Sequence, residues 1–200
     1  MKRGIYDFIV EQPKAFNETI TTTAGVELFL NVKFSGKSLV NNICKVVATP
    51  LSIETEIKPG YEIFVDSDIF FTVDTELGGE RPNPNLIDKA KGHYKVAPDT
   101  IILYRENSES QWKGFRDNAI IEFVKNEPIQ QGLIILEIPK ETTSTTNAKI
   151  VYSNKELEEE EELNIGDEIV LLHNYAVPIN IDDKAYHWIR NGEIGATVKY

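Results

Sequence analysis

The sequence predicts an all-β chain made of two tandem β-barrel units. Three observations lead there. β-Branched and aromatic runs of about 4–8 residues recur between clusters of Gly, Pro, Asn and Asp. Helical periodicity is almost absent. The second half of the chain also repeats the order of turns and strands of the first, and repeats usually mean one structural unit used twice.

The expected strands, in order, are residues 6–11, 28–33, 43–48, 61–65, 70–73, 100–105, 119–124, 133–138, 148–152, 168–172, 176–181, 185–190 and 196–200. Many short strands with close turns indicate a barrel or sandwich. Residues 85–91 are the one place where a turn or two of helix is expected. In strand 43–48 the single cysteine, Cys44, reads as a packed thiol, because cysteine commonly behaves as a small buried hydrophobe.

Two Gly turns anchor the repeat. Lys58-Pro59-Gly60-Tyr61-Glu62-Ile63-Phe64-Val65 matches Asn164-Ile165-Gly166-Asp167-Glu168-Ile169-Val170-Leu171 in kind. Upstream, Cys44-Lys45-Val46-Val47-Ala48 matches Ala148-Lys149-Ile150-Val151-Tyr152. Downstream, residues 100–104 with 117–121 are matched to 186–190 with 193–197. The units are therefore expected at 1–120 and 119–200. Only 119–124 is available as a central strand, so either it serves both units or one unit is completed by a neighbouring chain.

The copies differ in their loops. The first carries an insertion, 74–97, rich in Gly, Pro and Asn and expected as a long surface loop, since such residues do not hold a regular ladder. The second carries Glu156-Leu157-Glu158-Glu159-Glu160-Glu161-Glu162, read as a solvated loop of mutually repelling charges.

Composition narrows the class. At 200 residues and 41% hydrophobic the chain can bury a core as one domain or two. A net charge of −11 leaves no basic face for phosphate, which argues against nucleic acid and anionic membranes as partners. No apolar stretch approaches the ~20 residues needed to span a bilayer. Asp7 and Glu11 fall where a secretion signal needs its apolar region, and a single cysteine suits a reducing compartment, so a cytoplasmic protein is expected.

Gly132-Leu133-Ile134-Ile135-Leu136, opening just after a polar, Pro-containing stretch, is the most informative motif. The turn Ile165-Gly166-Asp167-Glu168 and the ending Tyr186-His187-Trp188-Ile189, then Glu193-Ile194-Gly195-Ala196-Thr197-Val198, follow it. This order resembles the GroES-like co-chaperonin family, in a divergent and tandem form. The resemblance is good from 132 to 198, fair from 7 to 65 and poor from 68 to 95. It implies that each barrel extends a loop ending in a glycine and an apolar tripeptide, which docks on a hydrophobic groove of a large chaperonin ring. In the second half Gly132, Leu133, Ile134 and Ile135 match that motif. In the first, residues 16–25 resemble the loop in length and polarity, with Gly25, Val26 and Leu28 at the docking end. Glu27 departs from the pattern. In an extended segment Val26 and Leu28 face one way and Glu27 the other, so the pair can dock while Glu27 stays wet. Read without the resemblance, 26–30 and 133–138 are core strands following ordinary loops.

The resemblance further implies a ring-forming homo-oligomer joined between the free edges 6–11 and 196–200, and a non-native client protein inside the capped cavity. The family's roof hairpin is shortened in both halves, which leaves the ring stoichiometry open.

The zinc alcohol dehydrogenases also contain a GroES-like domain, but their chemistry needs Cys and His ligands around an open position. One cysteine, three scattered histidines (His93, His173, His187) and no Gly-rich dinucleotide turn do not supply it. His173 and His187 read as packed or hydrogen-bonded residues. No nucleophile elbow is present, and residues 158–162 lack the apolar setting that would raise a general acid's pKa. A non-enzyme is therefore expected, with no cofactor and no metal. The competing reading is a structural or virion-associated β-barrel protein with a borrowed fold, because fold alone does not fix function. A viral co-chaperonin, a structural protein and a divergent bacterial one all fit the pattern.

Overall fold

A computed structural model describes residues 3–16, 19–21, 27–29, 40–71, 83–125 and 143–198. The chain divides into two compact units, Met1–Gln111 and Trp112–Tyr200. Both are mostly β. The first holds β1 (Phe8–Glu11), β2 (Thr19–Thr21), β3 (Glu27–Phe29), β4 (Ile43–Ala48), β5 (Glu62–Val65), β6 (Leu86–Asp88), β7 (His93–Val96) and β8 (Ile101–Arg105). The second holds β9 (Lys113–Gly114), β10 (Asn118–Lys125), β11 (Thr143–Tyr152), a short helix α1 (Lys155–Glu159), β12 (Glu168–Leu171), β13 (Val177–Ile181), β14 (Lys184–Arg190) and β15 (Ile194–Val198).

The two units share one strand order. In the first it runs β6-β7-β1-β4-β5-β8, and in the second β13-β14-β10-β11-β12-β15. Every pairing among these twelve strands is antiparallel, and the registers coincide. Cys44 faces Ile63 and Lys45 faces Glu62; Ala148 faces Ile169 and Lys149 faces Glu168. The bulges coincide too, between Phe64 and Val65 on β5 and between Val170 and Leu171 on β12. The upstream and turn correspondences expected from the sequence therefore hold position for position. The downstream one is corrected by a strand. Val65 pairs with Ile101, and Leu171 pairs with Ile194, so β8 corresponds to β15, and β14 corresponds to β7.

Alternation explains the core. On β4 the buried residues are Cys44, Val46 and Ala48, and on β12 they are Ile169 and Leu171, as expected where one face of a strand is covered. In the second unit these join Ala119, Ile121, Ala148, Ile150, Leu157, Leu163 and Ile189 in one cluster.

Other expectations change. Among the described residues the sheets run from edge to edge and do not close into barrels. The stretch 74–97, expected as a loop, contains β6 and β7, a hairpin that pairs with β1. Leu86, where a helical turn was expected, is a strand residue facing Tyr94. The start of the expected strand 70–73 instead closes a 3₁₀ turn, Ser67–Phe70, capped where the Asp66 carboxylate accepts from the Asp68 N–H at 3.0 Å. The acidic run carries α1, because Asn154 caps it and Leu157 anchors it at 1% exposure. β1 pairs on both sides, with β4 and β7, so residues 8–11 offer no free edge. β15 lies at a sheet edge and pairs with β12 alone among the described strands. β10 pairs with β11 and β14, both strands of the second unit. No helix among the described residues is long and apolar enough to cross a membrane.

Candidate functional site

In each unit two strands that pair as neighbours are joined by a long connecting excursion of the chain. In the first unit the path leaves after β1 and returns into β4, so the excursion spans 17–39. In the second it leaves after β10 and returns into β11, spanning 126–142. Both departures begin and end on neighbouring antiparallel strands, which brings the two limbs of each excursion together at a neck.

The first neck is polar. Phe16 and Val40 form an antiparallel bridge, and the Asn41 N–H donates to the Ala15 carbonyl at 2.9 Å. Gln12, only 5% exposed, reaches across it. Its side-chain amide donates to the Asn41 carbonyl at 3.2 Å and to the Ile43 carbonyl, while its oxygen accepts from the Lys14 N–H at 3.2 Å. The Phe16 ring meets Phe71 edge-on at 5.6 Å. Within the excursion β2 and β3 pair antiparallel, with Ile20 in register with Leu28 and Thr21 with Glu27.

The second neck is aromatic. Lys125 faces Thr143 and Phe123 faces Ala148, with a bulge between. The Phe123 ring stands edge-on to His187 at 4.6 Å. Burial lowers the His187 pKa, because desolvation disfavours the imidazolium. In the first unit the residue at the place of His187 is Tyr94, paired with Val10 as His187 is with Ile121, and its ring packs at 5.1 Å on Phe70.

Of the candidate docking residues, Leu28 lies in β3. Gly25, Val26, Gly132, Leu133, Ile134 and Ile135 lie outside the described residues. Sequence reasoning missed Gln12. No alternation marked it, because Ile9 is buried between Phe8 and Val10 and Gln12 lies just beyond the end of β1, before Pro13. Cys44 is fully buried and its thiol pKa is pushed up by desolvation, which keeps it protonated and unreactive. Among the described residues no three His, Cys, Asp or Glu side chains come together as a metal site would need.

Compared with known proteins, the chain matches no family model and no curated protein.

Proposed function

We propose that this protein is a co-chaperonin: a ring-forming homo-oligomer of two-unit chains that caps an ATP-driven chaperonin ring in the cytoplasm and encloses a non-native client. The tandem units are GroES-like in this reading. The observation that carries it is the repeated excursion. Both units depart from the same point of the same strand order, between β1 and β4 and between β10 and β11. The two candidate motifs, Val26 with Leu28 and Gly132 with Leu133–Ile135 by sequence, fall in those two excursions.

The physics suits a cycling lid. Burying each aliphatic side chain in a groove is worth ~1.5–3 kcal/mol at most. Fixing an arm in a groove costs conformational entropy, which offsets part of that gain. One arm then binds weakly, and a ring of arms binds through avidity.

The test is nucleotide-dependent co-elution with the chaperonin of the encoding organism, together with refolding of a stringent substrate. Replacing Leu133 and Ile135 by Ser, or Val26 and Leu28 by Ser, should keep the fold and weaken capture, with the larger loss at Leu133 and Ile135. Failure of the intact protein to bind the chaperonin or slow its ATPase would replace this reading with the structural one. Unfolding of the Ser variants would make the apolar runs core strands.

A further inference from the structure

We infer that Gln12 is a positioning residue: its side chain clamps the limbs 12–16 and 40–43 to each other and so fixes where the chain leaves and re-enters the sheet around the first candidate docking segment. The inference rests on the co-chaperonin reading for its consequence, but the clamp is argued from geometry alone. Gln12 follows the last residue of β1, where the outgoing limb begins, and Asn41 to Ile43 form the returning limb. One buried amide group spans both. Its Nε2 donates to two carbonyls of the returning limb, those of Asn41 and Ile43, and its Oε1 accepts from Lys14 on the outgoing limb.

Gln12 is itself held from a third direction. Its backbone N–H donates to the Gly92 carbonyl at 2.8 Å, in the turn between β6 and β7. That turn approaches so closely that a Cβ on Gly92 would lie 2.6 Å from Pro13 Cα and 2.8 Å from the Gln12 carbonyl oxygen. With φ at +61°, Gly92 also holds a conformation that favours glycine. The β6–β7 hairpin thus packs against the backbone of Gln12 and Pro13 and backs the clamp. A buried amide with both donors and its acceptor oxygen engaged is costly to disturb, because a buried polar group without a partner bears its full desolvation penalty.

The second unit solves the same problem differently. The position after Glu122, matching Gln12 after Glu11 in the shared register, is Phe123, whose ring packs on His187. The two arms therefore have chemically distinct roots, and Gln12 acts on the first alone.

The experiment is amide hydrogen exchange read by NMR on the full chain, with chaperonin capture measured in parallel. In Gln12→Met, which keeps the bulk and removes the donors and acceptor, exchange at Lys14 and Asn41 should accelerate about tenfold or more while Val46, bonded to Tyr61 in the β4–β5 turn, keeps its protection. Capture by the chaperonin should weaken severalfold. Gln12→Glu keeps the acceptor and loses the donors, so Asn41 should accelerate with Lys14 still protected. Unchanged exchange at both limbs in a folded variant overturns the clamp, and so does equal acceleration at Val46, which would mark a general stability residue. A loosened neck with unchanged capture overturns the positioning role. Should both variants fail to fold, the Gln12 side-chain amide protons of the unsubstituted chain decide. Slow exchange supports the clamp, whereas exchange as fast as that of exposed Gln111 overturns it. If the unsubstituted chain captures no chaperonin, the functional reading fails by itself, and the exchange pattern still rules on the clamp.

Discussion

Gly60 and Gly166 hold one conformation at equivalent places in the two units. Their φ angles are +97° and +95°, and their N–H groups donate to the carbonyls of Val46 and Ile150 at 2.7 and 2.8 Å. A Cβ at Gly60 would meet nothing within 4 Å, and one at Gly166 only Lys149 Cε at 3.7 Å. The glycines are thus required by backbone angle and not by space. Gly60→Ala and Gly166→Ala should each destabilise their unit by about 1–2 kcal/mol, a cost that is conformational alone. Chemical denaturation of the two variants checks this, and a loss confined to one of them would break the equivalence.

The β13–β14 hairpin turns through Asp182 and Asp183, with φ of +47° and +64°, between the paired residues Ile181 and Lys184. Both angles belong to the turn type that favours Asn-Gly. Asp183→Gly should therefore raise stability by up to about 1 kcal/mol, the relief of the left-handed conformation less glycine's greater loss of chain entropy. Asp182→Gly should not, because the Asp182 carboxylate accepts from the buried Trp112 indole N–H at 3.0 Å. Melting temperatures of the two variants should move apart.

Asn154 links four segments of the second unit. Its oxygen accepts from the Leu157 N–H at 3.0 Å, and its amide donates to the Asn118 carbonyl at 3.0 Å and to Asn191 Oδ1 at 2.7 Å. Asn154→Ala removes a helix cap and leaves buried groups without partners. The expected loss is about 2–4 kcal/mol, measurable by urea unfolding followed through Trp188, whose indole N–H donates to Asn118.

His187 should make the second unit sensitive to acid. Its folded pKa is lowered from 6.5 by burial. Above pH 6.5 the ring is neutral in both states and its contribution is fully present. As the pH falls from there toward the lowered folded value, the unfolded chain takes up a proton that the folded chain resists, so stability drops, levelling off below the folded pKa. His187→Tyr, which copies Tyr94 of the first unit, should flatten that part of the melting temperature against pH curve. An unchanged curve would show that other groups carry the acid sensitivity.

The repeat was legible where physics writes a strong pattern. Residues 44–48 and 148–152 alternate inward and outward, and a glycine with positive φ marks each following turn, so the match could be placed to the residue. It slipped downstream because β7 is His93-Tyr94-Lys95-Val96, whose mixed polarity hides a strand held by pairing on both sides. β6 was hidden because its apolar content is two residues, Leu86 and Ile87. The acidic run was read by charge repulsion alone, although Glu forms helices well and Asn154 and Leu157 supply the cap and anchor. Of the candidate site, the sequence offered the apolar tips but not the root. Gln12 stands before Pro13 and reads as turn punctuation until its burial is known.

The closed neck has a consequence for how freely this chain can change. Residues 15–16 and 40–41 meet through a backbone bridge and a hydrogen bond, so the ends of the connection between them are fixed. Closing a flexible loop costs about 0.6 kcal/mol more for each doubling of its length. With its ends fixed in this way, the neck is a natural graft point: a foreign segment spliced between residues 16 and 40 is expected to leave the sheet of the first unit folded.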